Sequence, residues 1–512
     1  MSLNVLLEQF RNGAAIDENV TVVSTDNIEL GKQWFKELSN TFESLVEPAP
    51  LESPSILKDQ SFYNKLSQYI SIFDSILTSV DADLRNEESN QLQLALTQLM
   101  KPIPIVWVTQ FDVDPQGLTR KPSPVQLAFT RCFSAATKLA NNLYTHKLSF
   151  NAKVSLILNA WASSDTPWTS ESPQPVLNIT VSAEQAYSII TQIVVPIFRN
   201  AKAPNKPSHT GESKESQLLS LTEPRTYDAT EEGDPALVQR YWAVPMFITA
   251  LSLLTESQVK DSWRDITMVT LNLLDDTNSW FRIQGCVALE SLLRATSDQF
   301  WTRTGIHNVY WESIQNYMSF IPPMTPVNES IALLTATFKC ANSLAKKSLP
   351  LQKDAIIAQL DETVIRQGLL KIYNMAGTNI LINILVLNQI PIYCDTMGIY
   401  IVRHLMPLLD IPLKTLSDPF ITASPELADA ALDALTSLVK TAWPRINQYK
   451  YDIVDSCLVY RQRSISDEKS GISESSEQKI QYVFQMLDGI VGEESFTQDL
   501  LSLKKEFMDV TQ

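Results

Sequence analysis

The stretch Leu271 to Leu293 reads LNLLDDTNSWFRIQGCVALESLL. Leu273 and Leu274 close one apolar segment. Asp275 and Asp276 follow and open a short turn, because aspartate side chains satisfy the backbone amides left free at helix ends. A second segment then begins, with Arg282 one turn in. Phe281, Gly285, Ala288 and Leu292 recur on it at the spacing of one helix face. The glycine on that face lets a neighbouring helix come close.

Two helices joined in this way leave an apolar face uncovered, and stacking one hairpin on the next buries it. This is the pattern of a HEAT-type hairpin. The acid of the Asp275-Asp276 pair is expected to cap the second helix, and Arg282 is expected to reach an acid in the adjacent repeat. No strict period runs through the chain. The fold expected is therefore all-α, a degenerate HEAT-like helical-repeat solenoid whose structural motif is Asp275, Asp276, Phe281, Arg282 and Gly285.

The same periodicity extends in both directions. Ile28, Gly31, Phe35, Leu38, Phe42 and Leu45 share one face, as do Phe62, Leu66, Tyr69, Phe73, Ile76 and Val80. Ser182 to Gln185 reads as a capping box ahead of a helix that meets Pro196. Thr325-Pro326 opens the stripe Ile331, Leu334, Phe338, Ala341 and Leu344. Ser424-Pro425-Glu426 starts a helix with the stripe Leu427, Ala431, Leu435, Leu438 and Ala442, which Pro444 ends. Only Ile103 to Val108 could be a strand, and Pro104 argues against it.

Composition marks two breaks. Residues 200–235 are rich in Pro, Ser, Thr, Lys and Glu and lack the apolar surface to offset ordering entropy, so they read as a flexible linker. Residues 464–477 are Ser- and Glu-rich and read as a mobile loop. The expected organisation is a divergent N-terminal helical region at 1–199, the linker, a HEAT-like core at 236–463, the loop, and closing helices at 478–512.

Glycine is scarce, 13 in 512 residues. Parallel-sheet enzymes need it for phosphate loops and tight turns. The formal net charge of −16 disfavours nucleic acid and anionic membranes. The basic stretches Lys346-Lys347 and Arg461 to Arg463 are short and read as solvated charges. Tyr373 to Cys394 carries no Lys or Arg, but its Asn and Gln residues and Pro391 make it too polar to face lipid. It reads as a helix covered by other helices. Five dispersed cysteines fit buried free thiols. No basic-then-apolar leader opens the sequence, so cytosol, with the nucleus possible, is expected.

Four scattered histidines, His146, His209, His307 and His404, give no metal or acid–base cluster, and His404 reads as structural. No HExxH, CxxC, GxSxG or phosphate-loop string occurs. Asp275-Asp276 lacks further oxygen ligands for magnesium. No catalytic, cofactor or metal residue is expected, and the chain reads as a binding protein rather than an enzyme.

Five segments in order resemble one family. They are Leu273 to Asp276 with Arg282 to Cys286; Thr304-Gly305-Ile306 through Tyr310-Trp311 to Phe320-Ile321-Pro322; and Thr325-Pro326 with Glu329-Ser330 and Leu333-Leu334. Met397-Gly398-Ile399 with Val402 to Leu405 follows, then Asp418-Pro419-Phe420 and Ala442 to Ile446. The match, over roughly 237–463, is similar to the second of the Tel-two-interacting proteins (Tti-two), a subunit of the Triple T complex. The resemblance implies a non-catalytic co-chaperone subunit that joins Tel-two and Tti-one. It further implies action with the ninety-kilodalton heat-shock chaperone and its R-two-TP adaptor on phosphatidylinositol-3-kinase-related kinases (PIKKs), in cytoplasm and nucleus. An armadillo or importin-type transport adaptor is the alternative, but the regular Trp and Asn ladder of that class is not evident.

Within the resembling region, Trp443, Arg445 and Tyr449 are the candidate partner-binding residues. Pro444 turns the chain there, and an aromatic and an arginine at such a corner can anchor an interface. The alternative is that Trp443 packs internally and Arg445 caps a helix.

Overall fold

The computed structural model describes residues 60–79, 90–100, 124–145, 181–200, 235–466 and 473–507, with Asn40, Val154, Leu156 and Ala160. Every regular element among them is helical, so the fold is all-α, built from HEAT-like hairpins. The side chains of Phe73 and Ile76, all of Val80, the stripe Ile28 to Leu45 and the run Ile103 to Val108 lie outside the described residues. The chain divides into two units, Met1–Thr296 and Ser297–Gln512.

In the first unit, α1 (Gln60–Ser79), α2 (Asn90–Met100) and α3 (Pro124–Thr145) form a group. Leu66 and Tyr69 of the expected stripe are buried. Tyr63 meets Phe129 edge-on at 5.4 Å between ring centres. Lys138 pairs with Asp74 at 3.1 Å, tying α3 to α1.

Next come α4 (Ala183–Ile189) and α5 (Val195–Asn200). Ser182 and Gln185 make the expected capping box, with Ser182 Oγ accepting from the Gln185 amide at 3.2 Å and Gln185 Oε1 accepting from the Ser182 amide at 2.9 Å. Pro196 does not end the helical path. A π-helical turn at Ile190–Val194 precedes it, and such widening relieves the clash of a proline ring with the carbonyl four residues back.

α6 (Pro235–Leu253), α7 (Glu256–Asp261), α8 (Trp263–Leu274) and α9 (Ser279–Ala295) complete this unit. α8 and α9 are the hairpin of the deciding stretch. Phe281, Ala288 and Leu292 are buried. A Cβ on Gly285 would stand 2.9 Å from the Leu274 backbone nitrogen, so hydrogen at that position is what lets the two helices touch.

One detail of the motif differs from expectation, and a second adds to it. The cap of α9 is Asn278, whose Oδ1 accepts from the Trp280 amide at 2.8 Å. Asp276 sits one step further back and accepts from the Asn278 amide at 2.9 Å. A cap must directly precede the first helical residue, and the turn consumes Thr277 before that point. The Arg282 side chain is held by its own hairpin through Nε. That atom donates to the Asp276 main-chain carbonyl at 2.5 Å within the same hairpin, because helical side chains lean toward the N-terminus. The bridge between helices comes from Arg240 on α6, whose Nη2 meets Asp276 Oδ2 at 2.5 Å.

Residues 200–235 do not separate two domains. α4 and α5, before them, pack on α6 and α8, after them. Ser262 Oγ bonds the Tyr187 hydroxyl at 2.8 Å, Arg199 pairs with Asp265 at 2.5 Å, and the Arg240 guanidinium lies 5.5 Å from the Phe198 ring centre. The boundary at 199 is therefore corrected: residues 183–200 belong with the helices of 235–296. Composition reports whether a segment can bury surface itself; it does not report whether its flanks rejoin.

The second unit opens with α10 (Asp298–Thr304) and α11 (Ile306–Gln315). α12 (Val327–Gln359) runs through a π-helical stretch, Leu360–Leu370, into α13 (Lys371–Ala376). Leu334, Phe338, Ala341 and Leu344 are buried, while Ile331 is half-buried. α14 (Ile380–Met397) leads through a 3-10 stretch, Gly398–His404, to α15 (Leu405–Leu416). α14 packs on α12 and on α16 (Pro425–Thr441). Ala428, Ala431 and Ala434 on α16 are buried and small, which permits close packing. Ile380–Leu416 is long and apolar enough by composition to cross a membrane. Here two of its polar side chains bond other helices: Asn383 Nδ2 donates to Thr415 Oγ1 at 3.3 Å, and the Tyr393 hydroxyl donates to the Phe338 carbonyl at 2.9 Å.

α17 (Trp443–Ile446), α18 (Lys450–Ser466), α19 (Glu474–Val491) and α20 (Glu494–Phe507) close the unit. The expected loop at 464–477 is shorter than its composition suggested. Residues 464–466 finish α18, Ser473 caps α19 by accepting from the Ser476 amide at 3.0 Å, and Glu474 and Glu477 lie in its first turn, where acids suit the positive end. Arg461, expected in solvent, is buried and pairs with Glu477 at 3.0 Å. Arg463 Nη1 donates to the Ser417 carbonyl.

Candidate partner interface

The corner around Trp443 is built by α16 ending and α18 beginning. The Ala442 amide still bonds the Leu438 carbonyl at 2.8 Å, and the Arg445 amide bonds the Ala442 carbonyl at 3.0 Å. Pro444 fits because the first turn of a helix needs no amide hydrogen there. Ile446 is fully buried and pins the corner to the core. Trp443, by contrast, is 60% exposed. Arg445 is also exposed and Tyr449 is half-buried. The internal packing weighed for Trp443 is thus not what forms, since Ile446 takes the inward place. The Arg445 side chain makes no hydrogen bond or ion pair among the described residues.

The corner is bonded to the turn ahead of α20. Lys450 Nζ meets Glu493 Oε2 at 2.6 Å, and Asn447 Nδ2 donates to Glu493 Oε1 at 3.3 Å. These bonds, the Lys450 one foremost, hold the Glu493 carboxyl below the usual carboxylate range. Lys450 also lies 5.2 Å from the Phe496 ring centre. The Tyr451 hydroxyl donates to Asp499 at 2.9 Å. The turn between α19 and α20 is thereby fastened to the start of α18 and the residues before it. Lys450 and Glu493 were not singled out from the sequence, because nothing local connects residues that far apart.

The motif residues Asp275, Asp276, Phe281, Arg282 and Gly285 sit together in the α8–α9 hairpin, well separated in sequence from this corner and in the other unit. They act on packing. Arg240, missed at first, completes them. Its one sequence signal is a lone charge in the apolar helix PALVQRYWAVPMFITALSL.

Among the described residues no group of three or more His, Cys, Asp and Glu could hold a metal ion. Cys132, Cys286, Cys340, Cys394 and Cys457 are free and buried. Burial pushes the Cys394 and Cys457 thiols up to about 12, so neither is a thiolate nucleophile near neutral pH. His404 bonds Asp361 at 2.6 Å, and His307 is buried with Nδ1 3.4 Å from the Trp301 carbonyl.

Comparison with known proteins yields a family. The model described as "Tti2 family" matches residues 154–423, more than half of the chain. That span begins before the segment 200–235, earlier than the region from 237 that carried the resemblance, and it stops short of Trp443. TEL2-interacting protein 2 of Saccharomyces cerevisiae is 24% identical over 232 residues, 42% of this chain. The match spans 54% of that relative, about half its length. Two solved structures are also similar. The Kap95:Nup1 complex gives a TM-score of 0.39 at 12% identity, covering 93% of this chain and 56% of that one. Importin beta in an ammonium sulfate condition gives 0.39 at 12%, covering 98% and 66%. At TM-scores this low neither carries an argument about function. The extent of the family match, together with the all-α hairpin architecture, places this chain in the Tti2 family.

Proposed function

We propose that this chain is a non-catalytic scaffold subunit that joins Tel-two and Tti-one in a Triple T co-chaperone assembly. Acting with the ninety-kilodalton heat-shock chaperone and its R-two-TP adaptor, the assembly would support maturation and stability of PIKKs in cytoplasm and nucleus. The observation that carries this reading is the family match over residues 154–423. The name of the yeast relative, TEL2-interacting protein 2, supports a Tel-two partner. The Tti-one partner rests on the family resemblance. Its proposed docking surface lies in 236–463 and includes Trp443, Arg445 and Tyr449, where an exposed indole and guanidinium stand on a fastened corner.

Co-expression of the tagged chain with both partners, followed by pull-down, tests the assembly. Arg445→Ala should weaken capture of the Tti-one partner by about 2 kcal/mol or more. Its melting temperature should hardly change, since Arg445 is exposed. Unchanged capture would remove Arg445 from the interface; capture of neither partner by the unaltered chain would overturn the assembly. In cells, depletion of the chain should lower the levels of the kinases without lowering their transcripts. Steady kinase levels would count against the co-chaperone role.

A further inference from the structure

Tyr400 is a half-buried aromatic on the 3-10 stretch between α14 and α15. Two cations converge on its ring: Lys353 Nζ at 5.5 Å and Arg403 Cζ at 5.9 Å from the centre. Both cations are exposed, and neither pairs with a carboxylate among the described residues. Asp361, in the π-helical stretch after α12, bonds His404 at 2.6 Å. In a chain of net charge −16, these two cations share one ring.

The local geometry explains why they stay there. Side chains three apart eclipse on a 3-10 helix. Ile401 and His404, three apart, are both buried and fix the inner side. Tyr400 and Arg403, also three apart, share the outer side. Gly398 enters the stretch at φ 56, a conformation open to glycine, and so sets its direction after α14. Two apolar side chains adjoin in sequence: Ile399 is 49% exposed and Met406 is 69% exposed. This stretch therefore offers two cations on an aromatic face, with exposed aliphatic groups beside them in sequence.

We infer that Lys353, Tyr400 and Arg403, with Ile399 and Met406, form a docking site for an acidic segment of another protein. The segment would carry two or more carboxylates interleaved with an apolar side chain. Charge complementarity selects this occupant: like cations repel one another until an anion lies between them. A basic or neutral helix would meet uncompensated repulsion or leave both cations unpaired. The inference uses none of the residues at the Trp443 corner and does not depend on the assembly proposed above.

The test uses the full chain and a fluorescein-labelled peptide in which glutamates alternate with leucine and phenylalanine. Fluorescence anisotropy should show saturable binding that weakens as salt rises, because exposed charges are screened. Lys353→Glu with Arg403→Glu should reduce affinity at least about tenfold. The same change in net charge, placed at exposed Lys260 and Arg264 in the other unit, should leave it within about twofold. Trp443→Ala should also leave it unchanged, which separates this site from the corner. Melting temperatures of all variants should match the parent. Equal losses at both charge-reversed pairs would reduce the effect to bulk electrostatics and overturn the site, as would unaltered binding by the Lys353/Arg403 variant. Binding of the matching lysine-for-glutamate peptide with equal affinity would overturn the choice of an acidic occupant.

Discussion

Replacing Phe281 by alanine is expected to destabilise the first unit by about 3–5 kcal/mol. The side chain is 0% exposed. It stands on the inner face of α9, which packs against both α8 and α6. Its ring supports the Arg240 guanidinium at 4.7 Å. Truncation therefore removes buried apolar area, leaves a cavity between three helices, and strips a buried cation of its aromatic platform. Gly285→Leu on the same face should act in the opposite sense, by overfilling, at about 1–3 kcal/mol. The first new atom already meets Leu274 backbone, which cannot swing aside as a side-chain tip can. Thermal denaturation of the full chain measures both. If both variants melt with the parent, this face does not pack as described.

Asp276→Ala should produce a loss of similar size, about 3–5 kcal/mol. Arg240 and Asp276 form a pair whose side chains are 11% and 8% exposed. Breaking a buried pair by removing one member leaves the other charge without a counter-ion and away from water, which is why the effect exceeds that of a surface bridge. Asp276 also accepts the Asn278 amide, so the turn leading into the Asn278 cap loses a second bond. Asp276→Asn keeps an oxygen for that amide and loses the charge, so it should fall between the alanine variant and the parent. Joint replacement by Arg240→Met and Asp276→Leu should recover part of the alanine loss, because no charge is then left alone. Denaturant titration can rank the series. Equal stability of Asp276→Ala and the parent would mean that the pair contributes nothing, and a double variant no better than Asp276→Ala would point to the turn instead.

The order of these effects has a common cause. Phe281, Gly285 and Asp276 lie within one hairpin, and each acts on how α8, α9 and α6 meet. Surface changes such as Arg445→Ala touch no such junction. Stability and partner binding should therefore separate cleanly between the two sets of variants, which makes the interface experiments interpretable.

Much was legible from local pattern. The stripe of α16, from Leu427 to Ala442, follows from the spacing of apolar residues, and its start follows from Ser424-Pro425-Glu426. The capping box at Ser182 needs only two side chains within one turn. The inner face of α9 needs only the 3.6-residue period and the knowledge that a glycine there invites a neighbour. These are interactions between residues a few positions apart, so their geometry is implied by the helix itself. The all-α class and the family resemblance rest on the same kind of information.

What the tertiary structure alone decided concerns residues brought together from far along the chain. That the Asp276 carboxylate pairs with Arg240 depends on where α6 lies against the hairpin. That 200–235 interrupts a unit instead of dividing two depends on Tyr187 and Ser262 meeting across it. That Lys450 and Asn447 meet Glu493, over forty residues along the chain, depends on how α19 and α20 return to the corner. Periodicity fixes which residues share a face, because that is set by backbone geometry. It does not fix which neighbour covers that face, because that is set by the packing of side chains from many elements at once.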